Sequence, residues 1–396
     1  MKIVQLDIEG FRSLKSQSWR PGDLNVVIGP NASGKSNLLR ALEMLSAAAG
    51  ERLEKFVLRE GGMDSIVFDG SADGIAFKIR LQSPSNPVEQ ASTSISYLLS
   101  LLRIPSLRTF LIGEESLSEN RSDDSLGIFR LLQRDPENSI VRNREMKDVE
   151  FIETNELSPI ESLLPIASGQ FSVHPILKKL QKFLAESCVY QSIPTNRNAP
   201  LRLAQVTRSD TQVDSDGQNL ISVLHTLYSS NRDFEKELDA AMRIAFGDDY
   251  DRLVFPPAAD QRIQMRIRWK SLKREQSAAD LSDGTLRFLF LIAILANPEP
   301  PPLIAIDEPE TGLHPSMFPV IVDLARQCST KSQVIFTTHS AEFLSAFGKE
   351  APTTTVAERV NGETQLRVLD KDELDHWLKQ YTLGELFRSN ELETMQ

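Results

Sequence analysis

The chain has 396 residues, of which 40% are hydrophobic and 25% charged, and a formal net charge of −11. That length suits one large domain with an insertion, or two domains, and the acidity excludes a general polyanion binder, so any nucleic-acid contact needs a local basic patch. The two cysteines, Cys188 and Cys328, lie outside any CxxC spacing, which excludes a disulfide scaffold or zinc ribbon and fits a reducing cytoplasm. The N-terminus has no signal-peptide stretch, and no apolar run reaches the ~18 residues of a membrane span.

The chain opens with alternating Ile3, Val4, Leu6 and Ile8, read as a strand ending at Gly10. Leu24–Ile28 reads as a short buried strand, and Asn37–Ala49 as a helix with Leu38, Leu39, Ala41, Leu42 and Leu45 on its apolar face. Ser65–Phe68 and Gly74–Leu81 read as strands. The stretch 84–168 is polar, with short apolar runs at Ile95–Leu102 and Thr109–Ile112, and 114–127 reads as a loop or mobile segment. His174–Ser187 reads as a helix, Val189–Ile193 as a strand, and Asn219–Ser229 and Asp233–Ile244 as helices. Gln261–Lys270 alternates strictly, so it is expected to be one half-buried strand with a basic outer face. Leu286–Ala296 reads as a core helix, Pro302–Ile306 as a buried strand, Met317–Arg326 as a helix and Gln333–Thr337 as another buried strand. Two short strands and a helix pair are expected after Thr353. Strands alternating with helices predict a mainly parallel sheet, with ligands beyond the carboxyl ends of its strands.

The first buried strand runs into Gly29-Pro-Asn-Ala-Ser-Gly34-Lys35-Ser36, which matches G-x-x-x-x-G-K-[ST] in full. Such glycines let backbone N–H groups cradle phosphate oxygens, with a helix dipole behind them. Lys35 is expected to reach the β- and γ-phosphates and Ser36 to ligate Mg²⁺, with Asn31, Ser33 and Asn37 in the same nucleotide-facing set. The second buried strand ends at Asp307-Glu308, where one acid can serve the metal and the other a water, unless the pair is only a solvated loop. The third ends at His339, either a γ-phosphate sensor or a histidine without catalytic work.

On these residues the chain resembles ABC-type ATPases. Leu281-Ser-Asp-Gly-Thr-Leu-Arg287 is similar to their signature, Asp307-Glu-Pro-Glu-Thr-Gly-Leu-His-Pro315 to their Walker B and D-loop, and Thr338-His339-Ser340 to their switch histidine. Gly10-Phe-Arg-Ser-Leu14 resembles the opening of SMC/RecF-like and OLD-like ATPases, and Tyr381-Thr-Leu-Gly-Glu-Leu386 the ending of predicted bacterial ATPases of that group. The resemblance implies a P-loop NTPase of α/β class: an ABC-type ATPase head with a mixed sheet, a helical lobe and a mixed insertion. Its expected parts are 1–83 (Walker A), 84–200 (insertion and helical subdomain) and 201–396 (signature, Walker B and switch histidine).

It further implies ATP and Mg²⁺ as cofactors and a homodimer closed around nucleotide. Ser282 and Gly284 would then touch the γ-phosphate in trans, Asp307 would serve Mg²⁺, Glu308 the hydrolytic water, His339 the γ-phosphate, and Arg12 would lie near the phosphates. Ser282 is equally readable as an ordinary helix N-cap, and both readings are compatible. Gln191 is the candidate for the Mg²⁺-sensing glutamine of ABC ATPases, or else a surface glutamine. No long helical hairpin replaces the SMC arms, and the stretch after His339 is too short for the Toprim domain of OLD nucleases.

Arg262, Arg266, Arg268, Lys270, Lys273 and Arg274 are read as a nucleic-acid contact, a solvated strand face or a subunit interface. Arg202 adds positive charge but no motif. The expected function is an ATP-hydrolysing switch in bacterial antiphage defence or DNA maintenance, acting with a separate effector. The alternatives are a nucleotide-gated scaffold with little hydrolysis and, less in keeping with the opening motif, a transporter ATPase.

Overall fold

In a computed structural model, the structure describes residues 1–82, 93–121, 129–142, 149–151, 157–169 and 174–394. The chain divides into two compact units. The first holds 1–22, 27–187 and 354–368, and the second holds 23–26, 188–353 and 369–396.

The first unit is built on an eight-stranded antiparallel sheet. Its strands are β1 (Lys2–Phe11), β2 (Leu14–Trp19), β4 (Gly74–Gln82), β5 (Thr93–Ile104), β6 (Thr109–Arg121), β7 (Phe129–Arg134), β8 (Ser139–Arg142) and β9 (Val149–Phe151). They lie in the order β2-β1-β4-β5-β6-β7-β8-β9. Strand β3 (Leu24–Ile28) is shared between the units by sequence, with its last two residues in this one. Strict alternation buries one face of the sheet, for example Ile75, Phe77, Ile79 and Leu81 on β4 and Ile95, Tyr97, Leu99 and Leu101 on β5. Helices α1 (Lys35–Ala49), α2 (Leu53–Arg59), α3 (Met63–Ile66), α4 (Leu164–Ala167) and α5 (Pro175–Ala185) complete this part.

Two expectations fail here. Residues 65–68, read as a strand, end helix α3 and open a 3₁₀ turn; only Val67 keeps a single bridge, to Phe11. Residues 114–121, read as a loop, continue β6, whereas 122–127 lie outside the described residues. The polarity of that stretch is misleading because Glu115 and Glu119 point inward, at 0% and 3% exposure. Glu115 accepts from the backbone N–H groups of Leu163 and Leu164 (2.7 and 3.0 Å), from Ser162 (2.7 Å) and from Tyr97 (2.9 Å), so the buried carboxyl is fully engaged.

The second unit centres on three parallel strands: β10 (Cys188–Tyr190), β17 (Leu303–Asp307) and β18 (Gln333–Thr338). Between β10 and β17 come α6 (Leu220–Ser230), α7 (Arg232–Phe246), six short strands and α8 (Asp283–Leu295). The short strands are β11 (Gln205–Val206), β12 (Tyr250–Val254), β13 (Pro257–Ala258), β14 (Arg262–Ile263), β15 (Arg266–Trp269) and β16 (Gln276–Ser277). They form two small sheets, β11-β14-β13 and β12-β15-β16. The stretch 261–270, expected to be one strand, is therefore broken after Ile263 and divided between the two. Its alternation is nonetheless real: Ile263, Met265 and Ile267 are buried, and Arg262, Arg268 and Lys270 are exposed.

Helix α8 is apolar nearly all round and buries every residue from Leu286 to Leu295 except Arg287, as expected of a core helix. Helices α9 (Phe318–Ser329) and α10 (Ala341–Ser345) flank β18 in sequence. The amide of Val334 donates to Asp23 O at 2.8 Å, and Asn25 Nδ2 donates to Val334 O at 3.0 Å, so the start of β3 is held on β18.

The remaining strands, β19 (Thr353–Val360) and β20 (Glu363–Val368), form a hairpin that lies, from Thr354 on, in the first unit. Its two-residue turn is Asn361-Gly362, both with positive φ (52° and 86°), the combination that matches hairpin twist. In the second unit the chain ends in α11 (Lys371–Trp377), α12 (Leu383–Arg388) and the short α13 (Glu391–Thr394). Thr382 and Glu385 form a capping box on α12. Gly384 faces α10 so closely that a Cβ there would lie 2.0 Å from Ala341 O. The glycine of the Tyr381–Leu386 motif is thus a close-packing residue under α10. No helix among the described residues is long and apolar enough to cross a membrane.

Candidate active site

The phosphate-binding sequence forms a tight loop between β3 and α1 in the first unit. Gly29 (φ 147°) and Gly34 (φ 103°) occupy backbone conformations that disfavour side chains. Space excludes a side chain as well. A Cβ on Gly29 would lie 2.2 Å from Ala357 O, and one on Gly34 would lie 1.9 Å from Thr364 Oγ1. Lys35 folds back over the loop and donates to Gly29 O (2.7 Å) and Pro30 O (3.0 Å). Asn31 and Ser36 are exposed, and Ser36 sits in the first turn of α1.

Three side chains brace the loop from below. Thr364 Oγ1 donates to Ser33 O at 2.8 Å, Ser13 and Thr364 share a 2.6 Å hydrogen bond, and Asn37 Nδ2 donates to Ser13 Oγ at 2.7 Å. One proton direction satisfies all three: Asn37 to Ser13 to Thr364 to the loop carbonyl. Sequence reasoning missed Ser13 and Thr364 as loop supports, and nothing local to Thr364 signals this role. Asn37, expected among the nucleotide-facing residues, spends this amide hydrogen on Ser13. Ser33 is 1% exposed, and its hydroxyl has no partner among the described residues, an orphan donor inside a loop whose shape suits phosphate.

Arg12, also in the first unit, has φ 51° and donates its backbone amide to Ile66 O at 2.8 Å. Its guanidinium pairs with Glu60, which also holds Arg40 at 3.2 Å. Burial lowers the Arg12 pKa, and the Glu60 charge acts against that shift.

In the second unit, strand register sets the chemistry. Tyr190 pairs with Ile306, and Asp307 with Thr337. Gln191, Asp307 and the end of β18 therefore emerge side by side at the carboxyl edge of the three strands. The Thr337 hydroxyl donates to the Asp307 carboxylate. The Glu308 amide donates to both Thr337 O (3.0 Å) and Thr337 Oγ1 (3.2 Å). Glu308 takes a positive φ of 46°, and its carboxylate meets His339 Nδ1 at 2.9 Å. Both side chains are part-exposed, 36% for Glu308 and 48% for His339, so the pair is open to a substrate.

A cavity of about 210 Å³ is lined by Gln191, Asp307, Glu308, Thr311 and Arg287. Gln191 Nε2 is buried with no partner among the described residues. Gln191, half-buried, thus lies beside Asp307 with its amide nitrogen unpaired among the described residues. Mg²⁺ commonly binds through one or two carboxylates plus substrate phosphates and water, so the single carboxylate of Asp307 fits such a centre without a protein cage.

The signature sequence forms the start of α8. Ser282 caps it, accepting from Thr285 N at 3.1 Å. A Cβ on Gly284 would lie 2.6 Å from Gly312 O, and Arg287 donates to Thr311 O at 3.0 Å. The start of α8 thus packs on the turn that follows Glu308.

Arg202, read only as extra charge, is a buried clamp at 8% exposure. It donates to the carbonyls of Thr195 (2.8 Å), Ala278 (3.2 Å), Ala279 (3.2 Å) and Leu281 (2.7 Å), and pairs with Asp283. The basic face is partly neutralised: Arg268 pairs with Glu275 at 2.6 Å, although Arg252 of β12 lies directly opposite Arg268 in register.

A family model described as "AAA domain, putative AbiEii toxin, Type IV TA system" matches residues 24–345. The chain belongs to this family.

Among curated proteins it is similar to the DNA replication and repair protein RecF of Moorella thermoacetica, at 44% identity over 57 residues, 14% of this chain and 15% of that protein. It is also similar to the chromosome partition protein Smc of Mycolicibacterium paratuberculosis, at 35% identity over 75 residues, 18% of this chain and 6% of that protein. The chain therefore corresponds to only a small part of these relatives' length. Among solved structures, an SMC head bound to the C-terminal winged-helix domain of ScpA superposes with a TM-score of 0.57 at 15% identity, covering 94% of this chain and 99% of that one. An SMC head with an extended coiled coil, bound to the C-terminal domain of ScpA derived from Pyrococcus furiosus, gives 0.51 at 13% identity, covering 96% and 98%. The family member described here is a P-loop ATPase domain of the SMC/RecF-like ABC class, with the α/β fold of an SMC head.

Proposed function

We propose that this protein binds and hydrolyses ATP, that two copies close around the nucleotide, and that this cycle switches a separate effector. The observation that carries the hydrolytic reading is the Glu308–His339 pair next to Asp307. In this reading Lys35 neutralises charge on the β- and γ-phosphates, and the loop amides with Ser33 and Ser36 hold the phosphate oxygens. Bound Mg²⁺ would supply Lewis-acid neutralisation of the phosphates, with Ser36, Asp307 and Gln191 as its protein-side partners. Glu308 orients the attacking water and takes its proton, His339 senses the γ-phosphate, and Arg12 stands near the phosphates. Ser282 and Gly284 of the second copy complete the site, so the isolated chain is expected to bind ATP but to turn it over poorly.

Several facts support the wider reading. The family description names a toxin–antitoxin system, which is in keeping with antiphage defence, and the RecF and Smc relatives are named for DNA replication, repair and partition. SMC heads have been seen bound to a protein partner, ScpA, in keeping with an effector here. Of the basic stretch, Arg262, Lys270, Lys273 and Arg274 are exposed cations from which a nucleic-acid contact would be built.

The competing reading is a nucleotide-gated scaffold with little hydrolysis. The strained, solvent-open Glu308 counts against it, since a scaffold needs no water-orienting acid. Phosphate release with and without Mg²⁺, on the parent and on Glu308→Gln, separates the two readings: Mg²⁺-dependent release lost in the variant supports hydrolysis, and release indifferent to the substitution refutes it.

A further inference from the structure

The last two residues of β18 are adjacent threonines, and adjacent strand residues face opposite ways. Thr337 serves the acid pair, binding Asp307 and accepting the amide of Glu308. Thr338 faces elsewhere. Its hydroxyl donates to Glu310 Oε1 and accepts from the amide of Ser340 at 2.9 Å. Ser340 in turn caps α10, its hydroxyl accepting from Phe343 N at 3.1 Å. The backbone on both sides of His339 is therefore fixed through Thr338, and the hydroxyl of Thr338 is oriented by Glu310.

Glu310 is an unusual residue to find in this place. It is 8% exposed, and its second oxygen, Oε2, is buried without a partner among the described residues. Burial pushes its carboxyl above the ordinary range, against the downward pull of the Thr338 hydrogen bond. Burying a half-satisfied carboxyl costs stability, so a purely structural spacer would be better served by an apolar side chain. Any apolar replacement, however, leaves the Thr338 hydroxyl free to rotate and to release the Ser340 amide.

We infer that Glu310 is a positioning residue for hydrolysis: through Thr338 and the Ser340 amide it fixes the turn that carries His339 and so holds the imidazole against Glu308. This rests on the hydrolytic reading of the Glu308–His339 pair proposed above. Tail helix α12 supports the same turn from the far side, with Gly384 against α10 and Arg388 paired to Glu342 at 2.5 Å.

The test uses the full chain with Glu310→Ala, Glu310→Gln and Thr338→Val, and reads binding of a fluorescent ATP analogue, turnover, and amide exchange of the segment 337–344. Glu310→Ala is expected to bind the analogue within about threefold of the parent while kcat falls at least ~10-fold, the pattern of an interaction that matters only in the transition state. Glu310→Gln keeps a carbonyl acceptor for Thr338 and should retain most of the turnover. Thr338→Val should match Glu310→Ala, and the double variant should be no worse than either, because both act through one chain of hydrogen bonds. Exchange at the Ser340 amide should rise in Glu310→Ala.

Parent-like kcat in Glu310→Ala, a loss in Glu310→Gln as large as in Glu310→Ala, or losses that multiply in the double variant would each overturn the inference. If Glu310→Ala does not fold, Thr338→Val carries the same expectations. The exchange measurement separates the two levels of argument. An unchanged Ser340 amide refutes the positioning role, whereas turnover indifferent to Glu308→Gln refutes the hydrolytic reading beneath it.

Discussion

Glu308 and His339 stand 2.9 Å apart at the ends of neighbouring parallel strands, with Glu308 in a left-handed backbone conformation that turns its carboxylate toward the ring. A positive φ at a non-glycine residue costs of order 1–3 kcal/mol and persists where the surroundings enforce it. Here the bifurcated hydrogen bond from the Glu308 amide to Thr337 enforces it.

Glu308→Gln keeps the shape of the side chain but removes the proton acceptor. Turnover should fall roughly 10²–10⁴-fold, the usual contribution of a positioned general base, while ATP binding persists. Single-turnover phosphate release and nucleotide binding on the same preparation check this.

His339→Ala removes the partner of Glu308 without touching Asp307. Turnover should fall by about 10–100-fold, less than for loss of the acid itself, with little change in thermal stability because both side chains are part-exposed. A loss of stability of more than about 1 kcal/mol would mark the histidine as structural instead.

The loop brace makes a different prediction. Thr364→Val removes the donor to Ser33 O and should raise the KM for ATP by about 3–10-fold with kcat nearly unchanged, the mark of lost uniform binding. Gly34→Ala should abolish nucleotide binding, since its Cβ would occupy the space of Thr364 Oγ1.

Arg202→Leu should lower stability by roughly 3–5 kcal/mol, because four carbonyls lose a buried, charge-assisted donor together. Thermal denaturation reads this directly. Signature function should fail with it, since the clamp holds the segment leading into Ser282.

Glu115 gives a pH signature. Burial lifts its carboxyl above the ordinary range, outweighing four hydrogen bonds that pull it down. The folded state therefore keeps this proton to higher pH than the unfolded chain does. Its contribution to stability is fullest below the unfolded glutamate range and is lost as pH rises through the raised folded value. Glu115→Gln, neutral throughout, should lose less stability than the parent as pH rises from the ordinary glutamate range of about 4 upward.

Much of the site was legible because its motifs are contiguous and each ends a short apolar strand. Gly29–Ser36 needs only its own sequence to be read, and Asp307, Glu308 and His339 follow from strand ends. Gln191 was open to two readings in the sequence, and what brings it beside Asp307 is the pairing of Tyr190 with Ile306. What escaped is long-range. Thr364 lies 331 positions from the Ser33 carbonyl it supports, and Arg202 lies 76, 77 and 79 positions from three of the four carbonyls it clamps. The 261–270 alternation predicted the faces of most residues, with Arg266 and Trp269 both half-buried, but not the break, because periodicity does not say which sheet a residue joins. Residues 114–121 were misread for a definite reason: Glu115 and Glu119 point inward, and Glu115 is satisfied by partners distant in sequence, so polarity mimicked a loop.

The central claim is that half of each catalytic site comes from a second copy of the chain. Lys35→Ala disables the loop, and Ser282→Arg blocks the signature offered to the other copy. Each variant alone should be inactive. Mixed one to one and exposed to Mg²⁺ and ATP, they should form heterodimers with one intact site and recover roughly a quarter of the parent rate, by the symmetry of random pairing. A mixture no more active than its two components would contradict a shared site.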